Sequence, residues 1–392
     1  LTTPRAPPMR LSAITAALVA ALVGIASALA VVLAAAEALG ATKAETTSWV
    51  IGLWIAMAVS SAVLSLWQKI PVITAWSTPG AAVIAATAGV GMHAAVGAFL
   101  LAGGLILLTA MIAPLGRLIE RIPVAVASAM LAGVLVRFVI AMFDGVKASP
   151  ELVLPLIALF LVIRLWNASF AMLAVVAAGI GLAVWSGAFA GQGLSLEMAG
   201  LVYIHPVFDP AVLIGLGVPL YLVTMASQNL PGAAVLRASG YAVPMSPVLL
   251  VTGLASIAVA FVGAHTVNLA AITAAICAGP EAHPDKDKRW VTGIAYGIVY
   301  LAIAAFGASI VALFLAFPSA VIKAIAGLGL IGSLTGALAQ AMHDVPTRFA
   351  AVLTFAVTAS GVTVFGVGAA FWGLVAGLIV LTLDEFAAKA RT

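Results

Sequence analysis

Three polar clusters interrupt an otherwise apolar chain: TAWSTPGAAV (residues 74–83), GAHTVNLAAITAA (263–275) and VTMASQNLPG (223–232). In the first two, extended-favouring residues (Val72-Ile73-Thr74, then His265-Thr266-Val267) lead to a good helix cap and a small, helix-compatible run. Thr78 is the expected cap of the first. Pro79 then takes the first helical position, where its missing N–H costs nothing, and Gly80 follows. Asn268 is the expected cap of the second. A helix start offers free N–H groups and the positive end of a dipole, so two of them aimed at one point suit an anion without any fixed charge.

The third cluster places Thr224, Ser227, Gln228 and Asn229 in an apolar span. Ser227, Gln228 and Asn229 cover most of a helix circumference, so one or two of them must face protein or water. The bland alternative is a cytoplasmic helix end, with Pro231-Gly232 as a stop. His265 is the titratable group placed to matter: a buried imidazole with a reference pKa near ~6.5 could take up a proton at membrane depth. The competing reading is a satisfied structural histidine. Glu37 is a weaker proton-coupling candidate, better read as an interfacial residue.

The elements that position these clusters are membrane spans. The chain has 392 residues, is 64% hydrophobic and 8% charged, and has a mean hydropathy of +1.25. A water-soluble domain could not cover its surface with that supply of polar groups. Runs of about 20 apolar residues, long enough to span a bilayer, recur from end to end. The expected spans are 11–36, 47–67, 71–90, 94–113, 122–142, 151–165, 169–188, 209–229, 246–262, 264–279, 290–316, 318–341, 347–361 and 366–384. An even count puts both termini on one side. With that side cytoplasmic, only Lys43, Arg137, Lys147 and Lys323 of the seventeen Lys and Arg fall outside, as the positive-inside rule requires. Leu11 to Ala36 is too long for a signal-peptide h-region. One cysteine excludes an intrachain disulfide, and no Cys/His spacing suggests a metal site.

The chain also repeats itself. RIPVAVASAMLAGVLV (121–136) resembles AFPSAVIKAIAGLGLI (316–331), and Pro318 follows Pro123 by 195 positions. Asn268 follows Thr78 by 190. Seven spans separate the copies, so the halves lie in opposite orientations, a transporter architecture. The expected division is a first repeat at 1–190 (spans 1–7), an outer loop at 191–208 and a second repeat at 209–392 (spans 8–14). Spans 3 and 10 are discontinuous, extended first and helical after. Such breaks survive in hydrocarbon only where they line a cavity.

These motifs and their spacing resemble the BenE-type benzoate transporter family over essentially the whole chain. The resemblance implies a proton-coupled importer of benzoate in the bacterial inner membrane, with the seven-plus-seven fold of nucleobase and anion transporters. It further implies a core of spans 1–4 and 8–11 and a gate of spans 5–7 and 12–14, with substrate at the breaks of spans 3 and 10. Nucleobase relatives carry carboxylates on spans 8 and 10. Here Ser227-Gln228 and His265-Thr266 stand in those stretches, which suits an anionic substrate.

The expected function is therefore a secondary transporter of an aromatic monocarboxylate, working by elevator-like movement of core against gate. Ser77, Thr78, Gln228 and Asn268 would donate hydrogen bonds and Trp76 would wall the ring, with Gly80, Ser227, Asn229, His265 and Thr266 nearby. The proton is the coupling ion and no other cofactor is expected. The partners are the substrate, the bilayer and a second copy in a homodimer, not nucleic acid. A nucleobase or other organic-anion carrier, or an uncoupled anion channel, remains an alternative. An intramembrane enzyme is disfavoured, because no nucleophile–base pair stands at depth.

Overall fold

The computed structural model describes residues 11–87, 89–112, 123–185, 187, 200–365 and 367–391. The first half contains α1 (Leu11–Ala38), α2 (Lys43–Gln68), β1 (Thr74–Trp76), α3 (Thr78–Ala85), α4 (Met92–Met111), α5 (Val124–Ala148), α6 (Pro150–Ile163) and α7 (Ala168–Trp185). The second begins with α8, which runs from Pro210 to Ala238 through π-helical turns at Leu213–Gly217 and Met225–Asn229. It continues with α9 (Met245–Ala260), β2 (Val267–Leu269), α10 (Ile272–Ala278), α11 (Val291–Ala305), α12 (Gly307–Leu315), α13 (Ser319–Ala341), α14 (Arg348–Ser360) and α15 (Ala369–Arg391). The first half of the expected outer loop at 191–208, residues 191–199, lies outside the described residues.

Among the described residues, seven helices are long and apolar enough to cross a membrane, and α11 with α12, bent by 66°, makes an eighth span. The shorter apolar helices α6, α7, α9 and α14 and the two strand–helix segments complete the fourteen expected spans. Spans 3 and 10 are indeed broken. Their extended halves, β1 and β2, pair antiparallel with Thr74 opposite Leu269, Ala75 opposite Asn268 and Trp76 opposite Val267.

The two halves match in detail. The helices after the related prolines, α5 and α13, both start at a proline in extended conformation, Pro123 and Pro318, and pack along each other. The stop at Pro231-Gly232 that the alternative reading requires does not occur. Each π turn instead ends just before a proline, Pro219 or Pro231, and the wider turn accommodates a ring that would clash in a regular helix. Thus α8 continues for two turns beyond the polar cluster.

Helices α1, α2, α4 and α8–α11 pack around the paired strands, while α5–α7 and α13–α15 form a second group. Within the first group α11 lies on α2 through Gly293 and Gly297, a small-xxx-small face. A Cβ on Gly297 would stand 2.7 Å from the Ala58 carbonyl oxygen, and backbone cannot step aside. Gly297→Ala should therefore cost about 1–3 kcal/mol through overpacking, read as a lower melting temperature in detergent. An unchanged melting temperature would mean that the helices do not meet there.

Candidate functional site

Two strands at membrane depth expose outer edges that no third strand covers, and unpaired N–H groups there are costly. Hydroxyl and amide side chains satisfy them. The Thr74 amide donates to Ser61 Oγ (2.9 Å) on α2, and the Val267 amide donates to Ser256 Oγ (2.9 Å) on α9. Ser256 follows Ser61 by 195 positions, the same offset as the related prolines. The Leu269 amide donates to Asn229 Oδ1 (2.9 Å) on α8. All of these side chains are buried.

The half-helices begin differently from expectation. Ser77, not Thr78, caps α3: its Oγ accepts from the Gly80 amide at 3.1 Å, and Thr78 and Pro79 are the first helical residues. Thr78 cannot cap because the chain has already turned helical there. Asn268 does not cap α10 either. It lies within β2, where strand pairing extends the backbone four residues before the helix starts. Its Nδ2 donates to the Leu269 carbonyl (2.9 Å) and, at 3.5 Å, to Gln228 Oε1. Ala271 occupies the cap of α10 and supplies no side-chain acceptor.

Between the two half-helices is a cavity of about 190 Å³. Ala75, Trp76 and Thr78 line it from the first broken span, and Ala270, Ala271, Ile272 and Thr273 from the second. Ser227 and Gln228 of α8 close one side, Ser27 of α1 and Ser333 of α13 contribute further hydroxyls, and Tyr296 and Tyr300 come from α11. A second, larger cavity of about 470 Å³ shares Ser227, Gln228 and Ser333 and extends past Pro231 and Gln340, towards the C-terminal ends of α8 and α13. Among the described residues, no Asp, Glu, His, Lys or Arg lines either cavity.

Of the residues singled out from sequence, Trp76, Thr78, Ser227 and Gln228 face the cavity. The others, Glu37 apart, form its frame. Gly80 lets α3 approach α8, since a Cβ there would meet Leu220 Cδ1 at 2.6 Å. Thr224 Oγ1 bonds to Thr266 Oγ1 (2.8 Å) and Ser77 Oγ (3.2 Å), tying α8 to both broken spans. His265 is buried, with both ring nitrogens engaged. Trp49 Nε1–H donates to Nδ1 (3.0 Å), which makes Nδ1 an acceptor, and Nε2–H donates to the Ser77 carbonyl (3.0 Å). Indole N–H is donor only, so this pair of bonds requires the neutral Nε2–H tautomer. Glu37 is exposed at the end of α1 and lines neither cavity.

Sequence reasoning missed Thr273, Tyr296, Tyr300 and Trp49. The available signal was a Tyr pair four residues apart in a span interior, away from the interfacial belts where tyrosine usually sits.

The edge-satisfying serines generate a paired prediction. Ser61→Ala and Ser256→Ala each strand one buried N–H, costing about 1–3 kcal/mol, and should lower the melting temperature by similar amounts. A wild-type value for either would remove that serine from the frame.

A family model described as benzoate membrane transport protein matches residues 7–383. Inner membrane protein YdcO of Escherichia coli (strain K12) is 40% identical over 363 residues, covering 92% of this chain and 93% of that protein. The benzoate membrane transport protein of Acinetobacter baylyi is 34% identical over 370 residues, covering 94% of each chain. Among solved structures, the transmembrane domain of the cyanobacterial bicarbonate transporter BicA superposes with a TM-score of 0.60 at 17% identity, covering 90% of this chain and 98% of that one. The murine Solute Carrier 26 family member A9 anion transporter in the inward-facing state gives a TM-score of 0.65 at 12% identity, covering 98% and 70%. At those identities the likeness establishes the fold alone, an inverted-repeat core-and-gate architecture.

Proposed function

This chain belongs to the BenE benzoate membrane transport family, and on that premise we propose that it carries benzoate, or a close aromatic monocarboxylate, together with a proton across the bacterial inner membrane. The observation that supports this is the cavity between the two half-helices, walled by both broken spans and furnished with hydroxyls, an amide and an indole but no fixed charge. A flat ring with one carboxyl group needs a few donors and much apolar wall, which that lining provides. Trp76 packs against the ring. Thr78 and Gln228 stand at the polar margin. The second group of helices, α5–α7 with α13–α15, acts as the gate against which the remaining helices carry the cavity, exchanging access between the two faces.

The proton travels on the substrate. A carboxylate desolvated in a cavity without a counter-charge is unfavourable, and neutralising it relieves most of that cost. The substrate's own carboxyl is the group that this environment drives to protonate. His265 frames the cavity instead of titrating in it, because a second proton at Nδ1 would set two N–H donors, its own and that of Trp49, against each other.

Purified protein in liposomes, given an inward proton gradient, should accumulate labelled benzoate, show saturation, and exchange it for unlabelled substrate outside. Equal accumulation without a pH gradient and with voltage clamped would remove the coupling. Flux without saturation or counterflow would mean a channel. His265→Gln keeps both hydrogen bonds, since the Gln carbonyl accepts from Trp49 and its amide donates to Ser77, yet it does not titrate. Proton-driven accumulation should persist in this variant, whereas its loss with substrate binding retained would place the proton on His265.

A further inference from the structure

Three hydroxyl groups in the cavity wall have no hydrogen-bond partner in the protein beyond one another: Thr273 Oγ1, Tyr296 Oη and Tyr300 Oη. They come from two elements, the start of α10 and the middle of α11, yet all three residues line the one cavity. Tyr296 and Tyr300 are fully buried and Thr273 is 6% exposed. The tyrosine rings lie with centroids 4.7 Å apart, as residues one helical turn apart on one face must. Gly24 of α1 lines the same cavity and lets α1 pack close to them: a Cβ there would come within 3.2 Å of Tyr300 Oη and 3.7 Å of Thr273 Cγ2.

Buried hydroxyls are nearly always paired, because leaving one unpaired forfeits its hydration without return. A single orphan is a packing accident. Three in one cavity, from separate helices, make a cluster of donors awaiting an acceptor group. Apolar residues of the same shape, two Phe and a Val, would serve the core better if nothing bound there.

We infer that Thr273, Tyr296 and Tyr300 form the carboxyl-binding pole of the substrate cavity, each donating its hydroxyl hydrogen to a carboxyl oxygen of the aromatic acid. This rests on the reading of the chain as an aromatic-carboxylate carrier and names the residues that recognise the acid group. A carboxylate is acceptor-only and has about four lone-pair sites, so three donors fit it. Hydroxyls rotate, so the same three also suit a protonated carboxyl, accepting from its O–H where they previously donated. A fixed ammonium or guanidinium would not. The apolar part of the lining, with Trp76, Ala75 and Met57, is then left for the ring.

The test uses the purified full-length protein, with benzoate and toluene as probes, for Tyr296→Phe, Tyr300→Phe and Thr273→Val. Toluene keeps the ring and has a methyl group in place of the carboxyl, so it neither accepts from the trio nor donates to it. Each variant should weaken benzoate binding by about tenfold or more and leave toluene affinity near its wild-type value. Without ligand, each variant should melt at or above the wild-type temperature, because an orphaned buried hydroxyl has been removed. Benzoate affinity unchanged in all three variants would overturn the assignment. So would equal losses for both probes, or a lower melting temperature without ligand, either of which indicates a packing role. Losses confined to ring-hydroxylated benzoates would assign the trio to a ring substituent and equally overturn it. Failure of the wild-type protein to bind benzoate at all would instead reject the underlying substrate reading.

Discussion

The whole architecture depends on one constraint: every backbone N–H and C=O at membrane depth needs a partner other than water. Breaking spans 3 and 10 releases such groups, and the fold recovers them in three ways. The broken segments pair with each other as a two-stranded sheet. Ser61, Ser256 and Asn229 cover strand-edge amides that remain. The His265 imidazole and the Ser77 hydroxyl take up groups at the start of α3. Each solution demands that a neighbouring helix come close, which explains the glycines at the contacts. Gly232 of α8 sits where a Cβ would lie 2.6 Å from Leu269 Cβ, and Gly80 of α3 plays the same part against Leu220.

That frame explains the neutrality of the site. Ser77, Thr224, Thr266, Asn229 and His265 are consumed in holding the strands together, so they are unavailable to a ligand although they surround it. What faces the cavity is either apolar or a neutral hydrogen-bonding group on an adjoining helix. A charged side chain among these residues would have needed its own buried counter-charge, with a desolvation cost exceeding that of hydroxyls. A site without fixed charge would also move through the bilayer at lower electrostatic cost under the proposed displacement of one helix group against the other.

The fold was largely legible in the sequence because hydropathy, Pro/Gly punctuation and the 195-residue offset all reflect backbone requirements. Repetition of a broken span is visible as an extended-favouring run that leads, in each half, into a small, helix-compatible one. The limits of that reading are equally physical. The caps were placed on Thr78 and Asn268 from residue preference alone, but strand pairing decides where each helix starts: it moves one cap back to Ser77 and carries the other forward to Ala271. Polar residues near the break were grouped as one binding set, yet sequence carries no information on which of them face inward to the backbone and which face the cavity. The tyrosine pair of α11 escaped notice because two tyrosines in an apolar helix resemble core packing until a cavity is seen in front of them.

The two repeats are alike in frame but unlike in finish, and the difference locates the polarity of the site. In the first half, Ser77 accepts from Gly80 and its carbonyl accepts from both Ala81 and His265, so the start of α3 is closed by the protein itself. In the second half, Ala271 leaves the start of α10 without a side-chain cap, and the neighbouring hydroxyls of Thr273, Tyr296 and Tyr300 have no partners beyond one another. An inverted pair built with full symmetry would present the same donors to both sides of a bound molecule. Benzoate is not symmetric: one end is an acid and the other a ring. Closing one half-helix start while leaving hydroxyls unpaired beside the other gives the cavity a polar pole and an apolar pole, matching the ligand's own asymmetry.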